Sequence, residues 1–213
     1  MTRSQRIIVI SGASSGIGLY STKYLSKLGN FVVAGARKPS DISKLSDIDN
    51  VKGVKLDVTE PGDIRSVVEY VKTTYGYLDV LINNAGIPGW GAIMDREMDY
   101  FKKIMDVNLF GSLHMIKAFY PLLKKSNSLP IIINMSSQGG NYSFPFWAPY
   151  HMSKWALEAL SDALRRELLP MGIRVAVIQP GAIRSAAFTS QINEFTAYSK
   201  QVKSEFQERV ISM

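Results

Sequence analysis

In the stretch APYHMSKWALEAL, Tyr150 and Lys154 stand four residues apart at a helix start. On a helix that spacing puts both side chains on one face, within reach of the same small volume. A free tyrosine has a pKa near 10 and moves protons poorly at neutral pH. An ammonium about 4 Å away, at an effective dielectric near 20, is worth about 4 kcal/mol, enough to lower that pKa by up to about 3. The pair could therefore exchange a proton near physiological pH. A second pair with the same spacing, Tyr120 and Lys124 in YPLLK, competes with the first. Pro121 follows it at once, late in a helical stretch, where a lysine favours the negative end of the helix dipole.

Either pair must be positioned by regular elements. Short apolar runs alternate with longer amphipathic stretches, the pattern of strand and helix taking turns around a parallel sheet. Strands are expected near 6–11, 31–36, 54–58, 79–84, 130–136 and 174–179, several nearly continuous in Val and Ile, as strands covered on both faces are. Helices are expected near 16–28, 61–75, 98–124 and 150–169. Thr59 is placed to cap the helix that opens at Pro61, and Met171-Gly172 ends the helix of Tyr150. The architecture expected is a doubly wound α/β domain, Rossmann-like, as a single domain over 1–213, in which functional residues cluster just after strands.

Composition removes other chemistries. The 213 residues contain no cysteine and two histidines, His114 and His151, leaving no thiolate site, little for a histidine triad and no metal site expected. His151 reads as an exposed helix residue and His114 as a helix residue without catalytic work. The formal charge of +7 is spread over scattered basic pairs rather than a tract. A solvated surface accounts for most of it, so no nucleic acid partner is expected. No apolar run has membrane length, and a cytoplasmic protein without a membrane partner is the default expectation.

Directly after the first strand comes SGASSGIG, with glycines at 12, 16 and 18. Glycines there permit a tight turn, close approach of backbone to a pyrophosphate, and close packing of the next helix, whose N-terminal N–H groups favour an anion. The spacing Gly-x-x-x-Gly-x-Gly resembles the short-chain dehydrogenase/reductase family, with Ser11 where a threonine is usual. The resemblance implies that Gly12, Ser14, Ser15, Gly16, Ile17 and Gly18 hold the cofactor's phosphates. Further landmarks appear in order. Asp57-Val58 closes the third strand and matches the contact to an adenine, and Asn83-Asn84-Ala85-Gly86 closes the fourth, with Asn84 and Gly86 beside the cofactor. Asn108 in DVNLFG matches the family's helical asparagine. Pro180-Gly181 follows the sixth strand, and Ile183 with Ser185 matches the segment along the nicotinamide carboxamide.

The same resemblance chooses between the two tyrosines. Ser137 in NMSSQGG lies thirteen residues before Tyr150, the family's separation for its catalytic serine, while Val107 holds that place before Tyr120. Ser136 is the nearby alternative, and strand alternation points it to the opposite face. The catalytic set implied is Asn108, Ser137, Tyr150 and Lys154. Tyr150 would donate or accept the proton, and Lys154 would lower its pKa and bind the nicotinamide ribose. Ser137 would hold the substrate oxygen, and Asn108 a water and the lysine.

At the end of the second strand, Ala36 stands where a family acid would favour NAD, followed by Arg37 and Lys38. Without a carboxylate to repel the 2′-phosphate, and with a guanidinium to bind it, NADPH/NADP+ is expected over NAD. The aromatic loop QGGNYSFPFWAP and Trp90 suggest an apolar or bulky carbonyl or alcohol substrate, with Trp147, Ser137 and Tyr150 as its contacts. The resemblance implies a homo-dimer or homo-tetramer. The family usually continues past the Pro-Gly turn through a lid into a further strand, whereas this chain ends at Met213 after a polar, helical-looking segment, 186–213. Either the sheet does without that strand or the sequence stops short of it. Nucleotide-sugar epimerases and dehydratases share the tyrosine and lysine, but space their glycines differently and need a larger substrate domain. A cofactor-binding redox sensor without catalysis is the alternative from another class, and four intact catalytic residues argue against it.

Overall fold

The computed structural model describes residues 5–183, 193 and 195–199. Six parallel strands form one sheet in the order β3-β2-β1-β4-β5-β6. They are β1 (Ile7–Ile10), β2 (Phe31–Ala36), β3 (Val51–Lys55), β4 (Val80–Asn83), β5 (Ile131–Met135) and β6 (Arg174–Ile178). The helices between them are α1 (Gly16–Lys27), α2 (Pro39–Ser46), α3 (Pro61–Thr74), α4 (Met98–Met105), α5 (Gly111–Leu123) and α6 (Ala148–Leu168). The strand order reverses direction between β1 and β4, and a crevice opens at the carboxyl ends there.

Strand alternation divides the apolar core between the two faces of the sheet. Ile7 and Val9 point to the face covered by α3, α5 and α6, where Val67, Val71, Phe119 and Leu168 pack. Ile8 and Ile10 point to the other face, against Ile17 and Leu25 of α1 and Ile42 and Leu45 of α2. With both faces covered, the central strands β1 and β4 are buried along their whole length, which explains their unbroken apolar runs. No helix among the described residues is long and apolar enough to cross a membrane.

Three local expectations need correction. The third strand is Val51–Lys55, so Asp57 and Val58 lie in the turn after it rather than at its end. Gly53 permits the close packing there, because its missing Cβ lets the strand lie against the Ile42 carbonyl of α2, a helix the sequence pattern did not mark. Thr59 does not cap α3. Glu60 holds that position without a side-chain bond, Pro61 opens the helix as expected, and the Thr59 hydroxyl donates to Asp57 Oδ1 instead at 2.7 Å. The long helix expected over 98–124 is interrupted by a π-helical turn, Asp106–Phe110, between α4 and α5.

The end of α6 follows the sequence reading, with one short 3-10 turn, Leu169–Met171, before Gly172 takes the left-handed φ of 71° that stops it. Tyr120 and Lys124 fall at the last turn of α5, where the Leu122 carbonyl accepts from Leu78 N before β4 begins. They are therefore at the amino end of the sheet, opposite the crevice. Lys124 Nζ lies 5.5 Å from the Tyr120 ring centroid, a contact that accounts for the pair without chemistry.

Candidate active site

The turn from β1 into α1 is held from two sides. Ala13 N donates to the Gly35 carbonyl of β2, and the Ser11 hydroxyl accepts from Asn84 N at 3.1 Å and Ala85 N at 3.0 Å after β4. Asn84 Nδ2 then donates to the carbonyls of Ser11 and Gly12, at 3.0 and 2.9 Å. Replacement of the usual threonine by Ser11 thus keeps the one group that matters, a hydroxyl oxygen bridging two strands. Gly12 has φ 65°, and a Cβ there would lie 2.8 Å from Ala85 Cα. Ser15 caps α1 by its backbone alone, so its side chain leaves the N–H groups of the first turn free to face the crevice. The result is a cradle of backbone donors at a positive helix end, the chemistry that suits a pyrophosphate.

From this cradle a single cavity of about 1270 Å³ runs along the carboxyl ends of the strands. The glycine-turn residues named above line it, as do Arg37, Asp57, Val58, Asn84 and Gly86. Pro180, Gly181 and Ile183 line it too, as do Ser137, Trp147 and Tyr150. Ser185 and most of the 186–213 segment lie outside the described residues. Burial opposes ionisation of Asp57, but two hydrogen bonds from Thr59 and the charges of Arg37 and Lys55 outweigh it and hold the carboxyl below its usual range. Asp57 therefore presents a fixed carboxylate acceptor beside the Arg37 guanidinium.

Ser137 follows β5, and its Oγ accepts from Gly139 N at 3.1 Å. With an oxygen lone pair taken by that N–H, the hydroxyl proton is left for a partner in the cleft. Ser137 acts on the phenol of Tyr150, pulling its pKa down, an influence expected from Lys154 rather than from the serine. Ser136 also lines the cavity, but its Oγ lies toward Gly140, buried without a hydrogen-bond partner among the described residues. Burial is the larger influence on Tyr150 and pushes its pKa above the ordinary 10, against the downward shift expected from Lys154. Lys154 Nζ lies 5.6 Å from the Tyr150 ring centroid and donates to the Met135 carbonyl at 2.8 Å. Burial brings the lysine pKa down to about 8, and the charge of Glu158 resists the fall.

Asn108 sits at the centre of the π-helical turn and is fully buried. Its side chain is committed on both ends. Oδ1 accepts from Ile87 N at 2.8 Å, and Nδ2 donates to the Ile87 carbonyl and Ser153 Oγ, both at 2.9 Å. The amide fastens the loop after Gly86 to α6, one residue from Lys154. Asn108 and Lys154 stand behind the cavity wall rather than on it, while a Cβ on Gly86 would lie 3.3 Å from Asn108 Oδ1 and 3.7 Å from Lys154 Nζ.

The aromatic residues divide between packing and lining. Trp90 is 3% exposed, and the Trp147 ring meets it edge-on at 5.1 Å. Trp147, Phe144 and Tyr142 line the cavity. The Phe195 ring stands 6.2 Å from Trp90, and Arg96 lies between the rings of Tyr100 and Tyr198. His151 is 4% exposed, not the surface residue its helix position suggested, and its ring stacks on Trp147 at 5.9 Å. His114 is exposed on α5 at the cavity rim.

A buried amide chain was also missed. Asn83 Nδ2 donates to Asn134 Oδ1 and Asn134 Nδ2 to Ser161 Oγ, each at 2.8 Å, tying β4 through β5 to α6. A lone asparagine within the apolar run PIIINMS is the signal that could have found it.

Known proteins resemble this chain in sequence and in fold. The short chain dehydrogenase family model matches residues 6–196. A 3-ketodihydrosphingosine reductase of Bacteroides thetaiotaomicron is 36% identical over 203 residues, covering 94% of this chain and 73% of its own length. Among solved structures, an alcohol dehydrogenase of the archaeon Thermococcus sibiricus complexed with 5-hydroxy-NADP has a TM-score of 0.79 at 26% identity, covering 84% of this chain and 77% of that one. A 3-ketoacyl-(acyl-carrier-protein) reductase of Brucella melitensis complexed with NADH has a TM-score of 0.82 at 28% identity, covering 86% and 78%. The chain belongs to the short chain dehydrogenase family.

Proposed function

We propose that this protein reduces an apolar or bulky carbonyl compound to the alcohol with NADPH, using Tyr150 as the acid. The observation that carries the reading is the meeting of Ser137 and the Tyr150 phenol on the wall of the cavity that begins at the glycine cradle. A bound nicotinamide cofactor would supply the hydride. The glycine turn, Asp57, Asn84, Pro180 and Gly181 are the residues that would hold it. Burial keeps the Tyr150 phenol protonated at neutral pH, which suits a proton donor and so the direction of reduction. The Ser137 hydroxyl donates to the same carbonyl oxygen and holds it against the phenol. Lys154, protonated below about pH 8, stabilises the phenolate left after transfer. Asn108 keeps α6 and the loop after Gly86 in register. Similarity to two 3-oxo reductases supports a carbonyl with an apolar chain as the substrate class. The reading also includes a cytoplasmic homo-oligomer.

Arg37 supports NADPH over NADH, since it follows β2 with no acid at Ala36 and already acts on the Asp57 carboxylate from the cavity wall. Initial rates of NADPH and NADH oxidation over a panel of ketones and 3-oxo esters test this. NADPH should be preferred, and Arg37→Ala should raise the KM for NADPH by about 10-fold while leaving that for NADH nearly unchanged, the loss expected of one charge-assisted contact of about 1.5 kcal/mol. A clear NADH preference of the unaltered protein refutes the cofactor assignment, and no turnover with any carbonyl refutes the function.

The pH profile follows from Lys154. A lysine is charged below its pKa, so above about pH 6.5 the reductive kcat/KM should stay level until about pH 7 and fall as pH rises through about 8. Measured between about pH 6 and 10, a profile that stays level to the top of the range would show that the Lys154 charge is not required.

A further inference from the structure

The wall between the cavity and a second, smaller hollow is made by His151 and Phe144, which line both. The smaller hollow, about 560 Å³, lies behind the loop that carries Trp147. His151 is the link between that loop and α6. Its Nδ1 accepts from Phe144 N at 3.1 Å, and its ring lies nearly parallel to Trp147, 21° between planes. Gly139 leaves the room it needs, because a Cβ there would fall 2.8 Å from His151 Nε2. The segment so held is not a relaxed one. Phe146 has φ 66°, a left-handed backbone that bulky residues seldom adopt, and its carbonyl accepts from Gly91 N at 2.7 Å.

We propose that His151 is a positioning residue for the substrate: as a neutral imidazole it pins the Phe144–Trp147 segment against the cavity, and its protonation releases that segment and weakens substrate binding. The proposal rests on the reading that the Trp147 end of the cavity receives the substrate. The chemistry is a matter of donors and acceptors. A neutral imidazole can accept at Nδ1, whereas the imidazolium carries a proton on both nitrogens and would set N–H against the N–H of Phe144. The charge would also have to sit in an enclosure of rings. Among the described residues, the titratable groups facing His151 are the phenols of Tyr142, across the loop, and Tyr150, on its own helix. The short turn Gln138–Gly140 presents glycine backbone to it. The nearest charged side chains of α6 are engaged elsewhere, Lys154 with the Met135 carbonyl and Glu158 with Gln179.

The sign of the pH effect is settled by burial, which holds the His151 pKa below 6.5 in the pinned arrangement. A released segment exposes the imidazole and returns it toward the ordinary value, so the released form binds the proton more readily. Lowering pH below about 6.5 therefore favours release, and raising it favours the pinned form.

Two variants separate the roles of the ring. His151→Asn can offer its carbonyl oxygen to Phe144 N but cannot titrate, while His151→Phe keeps an aromatic ring and loses the acceptor. The probe reaction is NADPH-dependent reduction of an alkyl 3-oxo ester, followed with tryptophan fluorescence over the same pH range. In the unaltered protein KM should rise below about pH 6.5 by no more than about 10-fold per pH unit, as one linked proton requires, with kcat nearly constant. The emission, which includes that of the stacked Trp147, should fall over the same interval. His151→Asn should show neither change, and His151→Phe should have a raised KM at every pH. A KM profile shared by the unaltered protein and His151→Asn, or one that is level in the unaltered protein, overturns the proposal. Should either variant fail to fold, imidazole NMR of the unaltered protein decides the point, since only two histidines contribute and His114 is exposed. The spectral change must then track protonation of His151, and a His151 that stays neutral through it overturns the proposal. Absence of turnover with the ester would count against the proposed reaction, while fluorescence and NMR would still judge the pinning.

Discussion

Tyr150→Phe should lower kcat/KM for NADPH-dependent carbonyl reduction by about 10²–10⁴-fold, the usual contribution of a positioned acid. The KM for NADPH should change little, because the ring and its contacts with Trp147 and His151 are kept and only the hydroxyl is lost. The loss should fall on kcat, since the proton is needed in the transition state and not for binding. Steady-state kinetics with an apolar ketone or 3-oxo ester, with circular dichroism to show an intact fold, measures it. Tyr120→Phe provides the matched comparison. Tyr120 has the same spacing to a lysine but lies at the amino end of the sheet, and phenylalanine keeps the ring it packs against the core, so loss of the hydroxyl should leave both constants within about 2-fold, equivalent to about 0.5 kcal/mol. Equal activity of the two variants would remove Tyr150 from the reaction.

The second large effect is expected at the glycine cradle. In Gly18→Ala the new Cβ would fall on the Gly12 carbonyl oxygen and close on Asn84 Nδ2, which donates to that carbonyl at 2.9 Å. Neither neighbour can retreat freely, because both belong to the bridge between the first turn and the end of β4. The cradle must therefore widen, turning its N–H groups away from the anion they would bind. NADPH affinity should fall by at least about 10-fold, equivalent to about 1.4 kcal/mol, with some loss of thermal stability from the broken bridge. Fluorescence titration with NADPH, read beside a melting curve, separates the two. Gly76→Ala is the control for strain alone, since Gly76 also has a left-handed φ, 81°, but no neighbour within 4 Å of the added carbon. It should melt lower and bind NADPH as before. Undiminished affinity in Gly18→Ala would mean that the turn is structural only.

Much of this site was legible because its parts are local in the chain. A glycine turn after an apolar strand, a Pro-Gly after another, and two side chains one helical turn apart each reveal themselves within a few residues. The six strands, and the helices other than α2, followed from the same local alternation, and the switch-point rule then placed the crevice. What misled was equally local. Thr59 looks like a cap in sequence, yet its hydroxyl serves Asp57, because the turn brings that carboxylate within 2.7 Å. The run 98–124 reads as one helix, and the π-helical turn within it depends on Asn108 finding Ile87 and Ser153, residues 21 and 45 positions away.

His151 and Tyr150 show the limit most clearly. The sequence by itself determined the family, the doubly wound sheet and many of the residues that line the cleft, Tyr150 among them, because these depend on residue type and short-range spacing. Only the tertiary structure decided how those residues are charged and held. Burial raises the Tyr150 pKa where the neighbouring lysine was expected to lower it, brings the Lys154 pKa down to about 8, and turns a histidine expected at the surface into the pin of the aromatic loop. Desolvation depends on everything packed around a group, from β5, α6 and the loop between them at once, and no spacing along the chain encodes it.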